Sequence, residues 1–436
     1  MTYEQENSAY AVGDLIGAGI SGLAYGGWGV SKDSGRVIFV RRGVPGDELK
    51  IRIIEARKNF ARAEIVEIVN PSPARIGPEC GAFEKGCGGC QWLHINYKTQ
   101  ARWKETIVGE TLKRIGGLDC DILPIVESET PYLNRNSASI HIDAKDGLCG
   151  FMAENTHTIL ASNFCRCLEA DCRKAFQTLS GAVSRGETPA GITGARIRSG
   201  PNGDWGVCFY GRADVEEARQ FAEKLAADNG RLRGAGIVRD RKYKGLFGGD
   251  HIRIELNSIK HLIHVDSFFQ TNYRQAARLS ELVNSSLELK KDDSLLDLYC
   301  GGGLFALELA GRVNNVLGIE NNKLSVDFAR RNARLNGIDN AGFISSDVLR
   351  GLRNIKKGEY NAAVLDPPRG GCGKETAAEI SRISPQRICY VSCAPDTLAR
   401  DLAWFAKSGY RVLSCRSLDM FPNTYHSEVV ATLILK

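Results

Sequence analysis

At 436 residues the chain has room for about three domains, and its 43% hydrophobic and 25% charged residues are ordinary globular values that exclude a disordered or low-complexity protein. No stretch reaches the roughly 18 apolar residues of a membrane span, and Met1 to Gly13, with Glu4 and Glu6, lacks the apolar run of a signal peptide. A cytoplasmic protein is therefore expected, its 14 cysteines thiols or metal ligands rather than disulfides, its net charge of +6 accommodating a polyanion without requiring one.

Residues from about 8 to 68 read as short strands broken by glycine, a small all-β barrel. Arg36-Val37-Ile38-Phe39-Val40 and Glu48-Leu49-Lys50-Ile51-Arg52-Ile53 are strand-like, with a turn at Gly43-Val44-Pro45-Gly46-Asp47 between them. Between residues 36 and 62, eight basic side chains face only three acidic ones, which concentrates the positive charge here. Such a face suits a phosphate backbone, or charges a strand edge against aggregation. Pro71-Ser72-Pro73 is a stiff linker into Cys80-Gly81-Ala82-Phe83-Glu84-Lys85-Gly86-Cys87-Gly88-Gly89-Cys90, where three thiolates in eleven residues point to metal. Zinc would want a second paired knuckle. Cys165, Cys167 and Cys172 are the candidate fourth ligands, and three close thiolates with one distant suit an iron–sulfur cluster.

An amphipathic helix is expected from Tyr97 to Ile115, ended by Gly116-Gly117. Residues 120 to 265 give short strands and one helix near Val215 to Ala227. From Leu287 apolar strands alternate with amphipathic helices, the pattern of a doubly wound parallel sheet. Leu295-Leu296-Asp297-Leu298-Tyr299-Cys300-Gly301-Gly302-Gly303 is a buried strand entering a glycine turn, and Glu320 ends the next strand. That arrangement fits NAD or S-adenosylmethionine. Asp347 after the third strand and the rigid Asp366-Pro367-Pro368 turn after the fourth favour methyl transfer.

In methylases of exocyclic amines an aromatic would follow that turn to stack on the base, and here the place is Arg369. Cys393, in the turn Ser392-Cys393-Ala394-Pro395, indicates different chemistry. Carbon-5 of uracil is a poor nucleophile until a thiolate adds at carbon-6, which splits one hard step into two. Arg369 or Arg400 could lower the pKa of that thiol, and Glu428 is the carboxylate available to take the carbon-5 proton. Cys300, Cys372, Cys389 and Cys415 read as small apolar fillers.

In this order the motifs resemble, over nearly the whole chain, the TRAM-domain 23S rRNA (uracil-5-)-methyltransferases. They are Cys80 with Cys87-Gly88-Gly89-Cys90-Gln91-Trp92, Ser267-Phe268-Phe269-Gln270-Thr271-Asn272, Asp297-Leu298-Tyr299-Cys300-Gly301, Asp366-Pro367-Pro368-Arg369, Ser392-Cys393 with Pro395, and His426 with Glu428. The resemblance implies an OB-like RNA-binding TRAM barrel over residues 1–70 and a central α+β domain over 71–262 carrying a 4Fe–4S cluster. It further implies a Rossmann-like class I methyltransferase domain over 263–436, on which the helix at about 96–116 packs. Cys80, Cys87, Cys90 and Cys165 fall on the cluster ligands, and Gln270, Tyr299, Glu320 and Asp366 on donor- or uracil-contacting positions. The chain departs from the pattern at Leu304, Leu133 and Cys167. The expectation is a monomeric enzyme forming 5-methyluridine in 23S rRNA, or in tRNA by the same chemistry. A non-catalytic RNA-binding protein and an iron–sulfur redox enzyme acting on a dinucleotide are the readings from other classes. Because the cysteine cluster is far in sequence from Cys393, its role is expected in folding and RNA docking.

Overall fold

The computed structural model describes residues 10–33 and 35–436. Glu4 and Glu6, on which the absence of a signal peptide was argued, lie outside them. Among the described residues no helix is long and apolar enough to cross a membrane.

Near the N-terminus six strands (Leu15–Gly19, Gly22–Leu23, Gly29–Asp33, Arg36–Val40, Glu48–Ala56 and Phe60–Asn70) pair in the order first, fifth, sixth, fourth, third, second. Alternate residues Leu49, Ile51 and Ile53 point inward onto Ile38, Val40 and Ala63, as the two-residue period of a strand dictates. The basic charge counted in the sequence is largely engaged. Arg57 and Arg62 both pair with Glu55, Arg52 with Glu64, and Arg41 crosses to Glu154 at 2.5 Å. Arg42 lies 4.2 Å over the Phe83 ring and donates to its carbonyl at 2.6 Å. Arg42 therefore fastens the barrel to the segment between the first two cysteines and Arg41 to Glu154, and only part of the counted excess faces outward.

A seven-stranded sheet follows, ordered 159–161, 148–152, 137–143, 192–199, 205–211, 232–239, 242–248, with 205–211 and 232–239 its one parallel pair. Two helices pack on it, Val215–Asp228 and a second over Ala170–Ser184 that the sequence reading did not contain. Ala175, Phe176, Leu179, Ala182 and Val183 recur at helical spacing and are fully buried against Ile197 and Phe209. Asp171, Cys172 and Arg173 open that helix with polar residues, which masked its start.

The third sheet has eight strands, ordered 341–345, 315–320, 294–298, 362–365, 387–392, 428–435, 410–418, 121–126. All neighbours run parallel except around Glu428–Leu435, which is antiparallel to both its neighbours. Asp121–Val126 thus joins this sheet from far upstream in the chain. The helix Tyr97–Thr111, capped by Asn96 accepting from the Thr99 N–H at 2.9 Å, lies against it and buries Val108. On that helix Lys104, wholly buried, gives its ammonium to Asp419 at 2.5 Å and to the Phe421 carbonyl at 2.9 Å.

Candidate active site

The carboxyl ends of the central parallel strands face one crevice, the place where such sheets hold ligands. After Ser294–Leu298 the chain turns through Tyr299, Gly301 and Gly303, all at positive φ. The Asp297 carboxylate accepts from the Ala306 N–H at 2.8 Å, fixing that turn, while its Oδ1 has no partner. Burial pushes its pKa up to about 8. The motif reading gives Asp297 no site role, although a carboxylate inside an otherwise apolar strand signals one. Glu320 ends the adjacent strand and accepts from the Gly301 N–H at 3.3 Å and the Asn322 N–H at 2.7 Å. Tyr299 is half-buried there, and burial raises its hydroxyl pKa. Asp347 caps the short helix Val348–Leu352 by accepting from the Arg350 N–H at 3.0 Å, so part of its carboxylate serves the fold.

Beyond the glycine turn, Asp366 ends the strand Ala362–Leu365 and Cys393 follows Arg387–Ser392. Glu428 opens the antiparallel strand next to it, with Ser392 opposite Val429. Pro395 starts the helix Pro395–Lys407 directly after the thiol. Burial raises the Glu428 pKa and Asp366 raises it further, while Arg369 opposes both; burial raises Asp366 too. The Cys393 thiol is pushed up to about 11, by burial first and by Glu428 second, against the lowering pull of Arg369. The two arginines proposed to activate the thiol thus part company. Arg369 faces it, whereas Arg400 bonds to Asp401 and the Gly370 carbonyl and lies over Trp404. Even Arg369 does not overcome burial, so the resting thiol is protonated at neutral pH. The four fillers Cys300, Cys372, Cys389 and Cys415 are all buried.

Gln270 sits just before the helix Tyr273–Leu287, 5% exposed, its Oε1 without a partner. Two residues away Phe268 is 77% exposed. Both belong to a loop held from the central sheet, by Arg196 donating to the Asp266 carbonyl at 2.7 Å and Arg198 to that of Ser267 at 2.8 Å. A cleft of about 730 Å³ runs past Phe268 and is lined also by Trp28 of the barrel, Arg135, Arg198 and Tyr425. Arg198 is buried with two guanidinium nitrogens unpartnered.

Residues 207–436 match the tRNA (uracil-5-)-methyltransferase family and residues 11–66 the TRAM domain. An RNA methyltransferase of Bacillus cereus is 32% identical over 441 residues, covering 95% of each chain. One of Thermosynechococcus vestitus is 32% identical, covering 98% of this chain and 99% of that one. Among solved structures, the tRNA (uracil-54, C5)-methyltransferase of Pyrococcus abyssi, in complex with S-adenosyl-L-homocysteine, superposes with a TM-score of 0.76 at 27% identity, covering 96% of this chain and 100% of that chain.

The chain belongs to the tRNA (uracil-5-)-methyltransferase family.

In this RNA methyltransferase Cys80, Cys87, Cys90 and Cys165 line one cavity of about 60 Å³ whose other walls include Phe83, Leu93, Phe151 and Phe164. Cys167 lines it too, its sulfur 3.7 Å from that of Cys90. Among the described residues no group of three or more His, Cys, Asp or Glu side chains is placed to hold a metal ion, which a zinc knuckle with sulfurs about 2.3 Å from the metal would require. Arg135 stands beside these cysteines, half-buried, with its shielded Nε unpartnered. A half-buried cation without a carboxylate fits the negative charge that an iron–sulfur cluster and its thiolates would bring.

Proposed function

We propose that this chain transfers a methyl group from S-adenosylmethionine to carbon-5 of a uridine in RNA through a covalent adduct on Cys393. The observation that carries this reading is the meeting of Cys393, Glu428 and Asp366 at adjoining strand ends, with Arg369 the cation facing them. Once its proton has passed to solvent, the Cys393 thiolate bonds to carbon-6 and opens the carbon-5–carbon-6 double bond, so that carbon-5 carries the electron pair that takes the methyl group and S-adenosylhomocysteine leaves. Glu428 then removes the carbon-5 proton; its electrons re-form the double bond and the thiolate leaves. Asp366 and Gln270 orient the uracil, and the free Gln270 Oε1 is an acceptor of the kind the N3–H requires. Tyr299, Glu320 and Asp347 hold the methyl donor in the crevice beside them. The wide cleft takes unpaired RNA, since exposed aromatic faces such as Phe268 stack on bases.

The substrate we propose is 23S rRNA, on the motif set, with the protein acting as a monomer. A tRNA is the second reading, favoured by the similarity to the Pyrococcus abyssi enzyme. RNA containing 5-fluorouridine tests the chemistry, because fluorine occupies the place of the proton that Glu428 must remove. A stable protein–RNA adduct is expected with wild type and none with Cys393→Ala. No adduct with wild type, or an adduct surviving that substitution, sinks the mechanism. Mapping 5-methyluridine in rRNA and tRNA from cells with and without the protein separates the two substrates.

We also propose that Cys80, Cys87, Cys90 and Cys165 ligate a 4Fe–4S cluster, supported by their shared apolar cavity and by Arg135 beside it with its Nε unpartnered. Protein purified without oxygen should be brown and lose its visible absorbance on Cys87→Ser. A colourless preparation carrying zinc would refute it.

A further inference from the structure

The loop joining the strands Tyr410–Leu418 and Glu428–Leu435 carries Tyr425 and His426 past the nucleophile. Its apex is Asn423, 2% exposed and at φ 66°, a left-handed conformation that asparagine tolerates better than most residues. Every polar group of Asn423 is used. Its carbonyl accepts from the N–H groups of Gln91 at 3.1 Å and Trp92 at 3.0 Å, the two residues that follow Cys90. Its own N–H donates to Gln100 Oε1 at 2.9 Å, and its Oδ1 accepts from Gln100 Nε2 at 3.2 Å. Its Nδ2 donates to the Pro131 carbonyl at 2.6 Å and lies 3.9 Å from the Cys167 sulfur.

The barrel closes the same junction. Trp92 Nε1 donates to the Gly27 carbonyl at 3.1 Å. Gly27, at φ 90°, packs so tightly that a Cβ there would come within 2.9 Å of Gln91 and 3.2 Å of the Tyr425 ring. Trp92 is the buried centre of a small core of its own with Leu23, Val44, Ile95 and Ile107, against which Tyr425 packs. From this junction the loop runs three residues to His426, whose Nε2 lies 3.4 Å from Arg369 Nη2, and Arg369 faces the Cys393 thiol.

We propose that Asn423 is a positioning residue that seats the catalytic loop on the cysteine loop, so that the order of the cysteine site sets the placement of His426 and Arg369 against Cys393. It rests on the reading of Cys393 as nucleophile but not on what the cysteines bind. The expected role of the cysteine cluster in folding and docking alone changes accordingly. Sequence distance from Cys393 hid a contact that two consecutive backbone amides make directly.

Hydrogen exchange on the full chain tests this apart from activity. Asn423→Ala, and Asn423→Gly, which keeps the backbone angle and loses only the side-chain bonds, should both raise exchange at residues 419–427 and 86–92 together. Cys90→Ser should do the same from the other side, while exchange around the glycine turn at 299–303 stays as in wild type. For methylation, kcat should fall about tenfold in Asn423→Gly with the KM for S-adenosylmethionine unchanged. Thermal unfolding of each variant is recorded alongside. Exchange at 419–427 unchanged in Cys90→Ser, or wild-type kcat in Asn423→Gly, overturns the proposal. If instead Cys393→Ala methylates normally, the nucleophile assignment fails, and the exchange experiment still decides whether the two loops are coupled.

Discussion

Arg369 Nη2 and His426 Nε2 meet at 3.4 Å beside the Cys393 thiol. His426 packs at 4.0 Å on Tyr425 and edge-on to Phe421 and Tyr25, and burial, then Arg369, pushes its pKa down to about 4. The imidazole is therefore neutral and its Nε2 can accept from the guanidinium, holding an otherwise exposed arginine on Cys393. Tyr25, from the barrel, donates to the Cys393 carbonyl at 3.5 Å, a long bond.

The ionisation of Cys393 should follow from this contact. Alkylation of Cys393 by iodoacetamide, read by mass spectrometry of its peptide, should rise with pH toward a midpoint near 11 in the free enzyme. Arg369→Ala should move the midpoint up by on the order of one pH unit. His426→Leu should move it in the same direction and His426→Gln, which retains an acceptor, by less. A midpoint insensitive to His426→Leu but shifted by Arg369→Ala would show that the arginine needs no tether.

Glu428→Gln keeps the shape of the pocket and removes its base. Loss of a positioned base typically costs about 10²- to 10⁴-fold in rate. Methylation of carbon-5 should still occur once, after which the proton cannot leave and the thiolate cannot depart. With ordinary RNA and S-adenosylmethionine this variant should build up a denaturant-stable protein–RNA complex already carrying the methyl group. Unimpaired turnover of Glu428→Gln would place the base elsewhere.

The proposed site residues each stand at a strand end that local signals mark in the sequence: Asp366 by the two prolines after it, Cys393 by Pro395, Glu320 by its spacing from the glycine turn. Motifs of this kind need no knowledge of distant contacts. What could not be read came from pairing across the chain. Asp121–Val126 gives no cue that it will extend a sheet whose other strands begin at residue 294. The helix Ala170–Ser184 hid behind its polar first turn, and nothing local in the barrel marks Arg41 and Arg42 as partners of Glu154 and Phe83. Local spacing announces a strand end; which side chains meet there is decided by the register of the sheet.

His261 should make stability sensitive to acid. It is fully buried against Phe269, both its ring nitrogens lack partners, and burial pushes its pKa down to about 4 from the ordinary 6.5. Below 6.5 the unfolded chain takes up a proton that the folded chain refuses. Its contribution is therefore intact above 6.5 and lost as pH falls toward 4, with a slope of about 1.4 kcal/mol per pH unit. Asp297 and Glu308, pushed up to about 8 and 7 mainly by burial, act in the opposite sense, Asp297 across this whole range and Glu308 across most of it. The readout is thus the difference between wild type and His261→Leu in denaturant unfolding at pH 7 and pH 5. The difference should shift in favour of His261→Leu at the lower pH, and an unchanged difference refutes the assignment.

Lys104 and Asp419 are both wholly shielded from solvent, and the pair ties the helix Tyr97–Thr111 to the start of the catalytic loop. Burial lowers the Lys104 pKa, and Asp419 opposes that shift. Removing one partner strands the other charge in an apolar setting, a loss of about 3–5 kcal/mol, whereas replacing both with apolar groups of similar volume is often neutral or stabilising. Lys104→Met should accordingly lower the unfolding free energy by about that amount, and Lys104→Met with Asp419→Leu should restore much of it. Activity should separate from stability in the double variant. Lys104 also donates to the Phe421 carbonyl, and the Asp419 carbonyl accepts from Gln275 Nε2 at 3.0 Å. The restored fold therefore keeps the Gln275 bond but lacks the ammonium that holds Phe421, the residue against which His426 packs. A stable double variant with reduced kcat would show that the ion pair serves the placement of the loop, and one with full kcat would reduce it to a fastening of the helix.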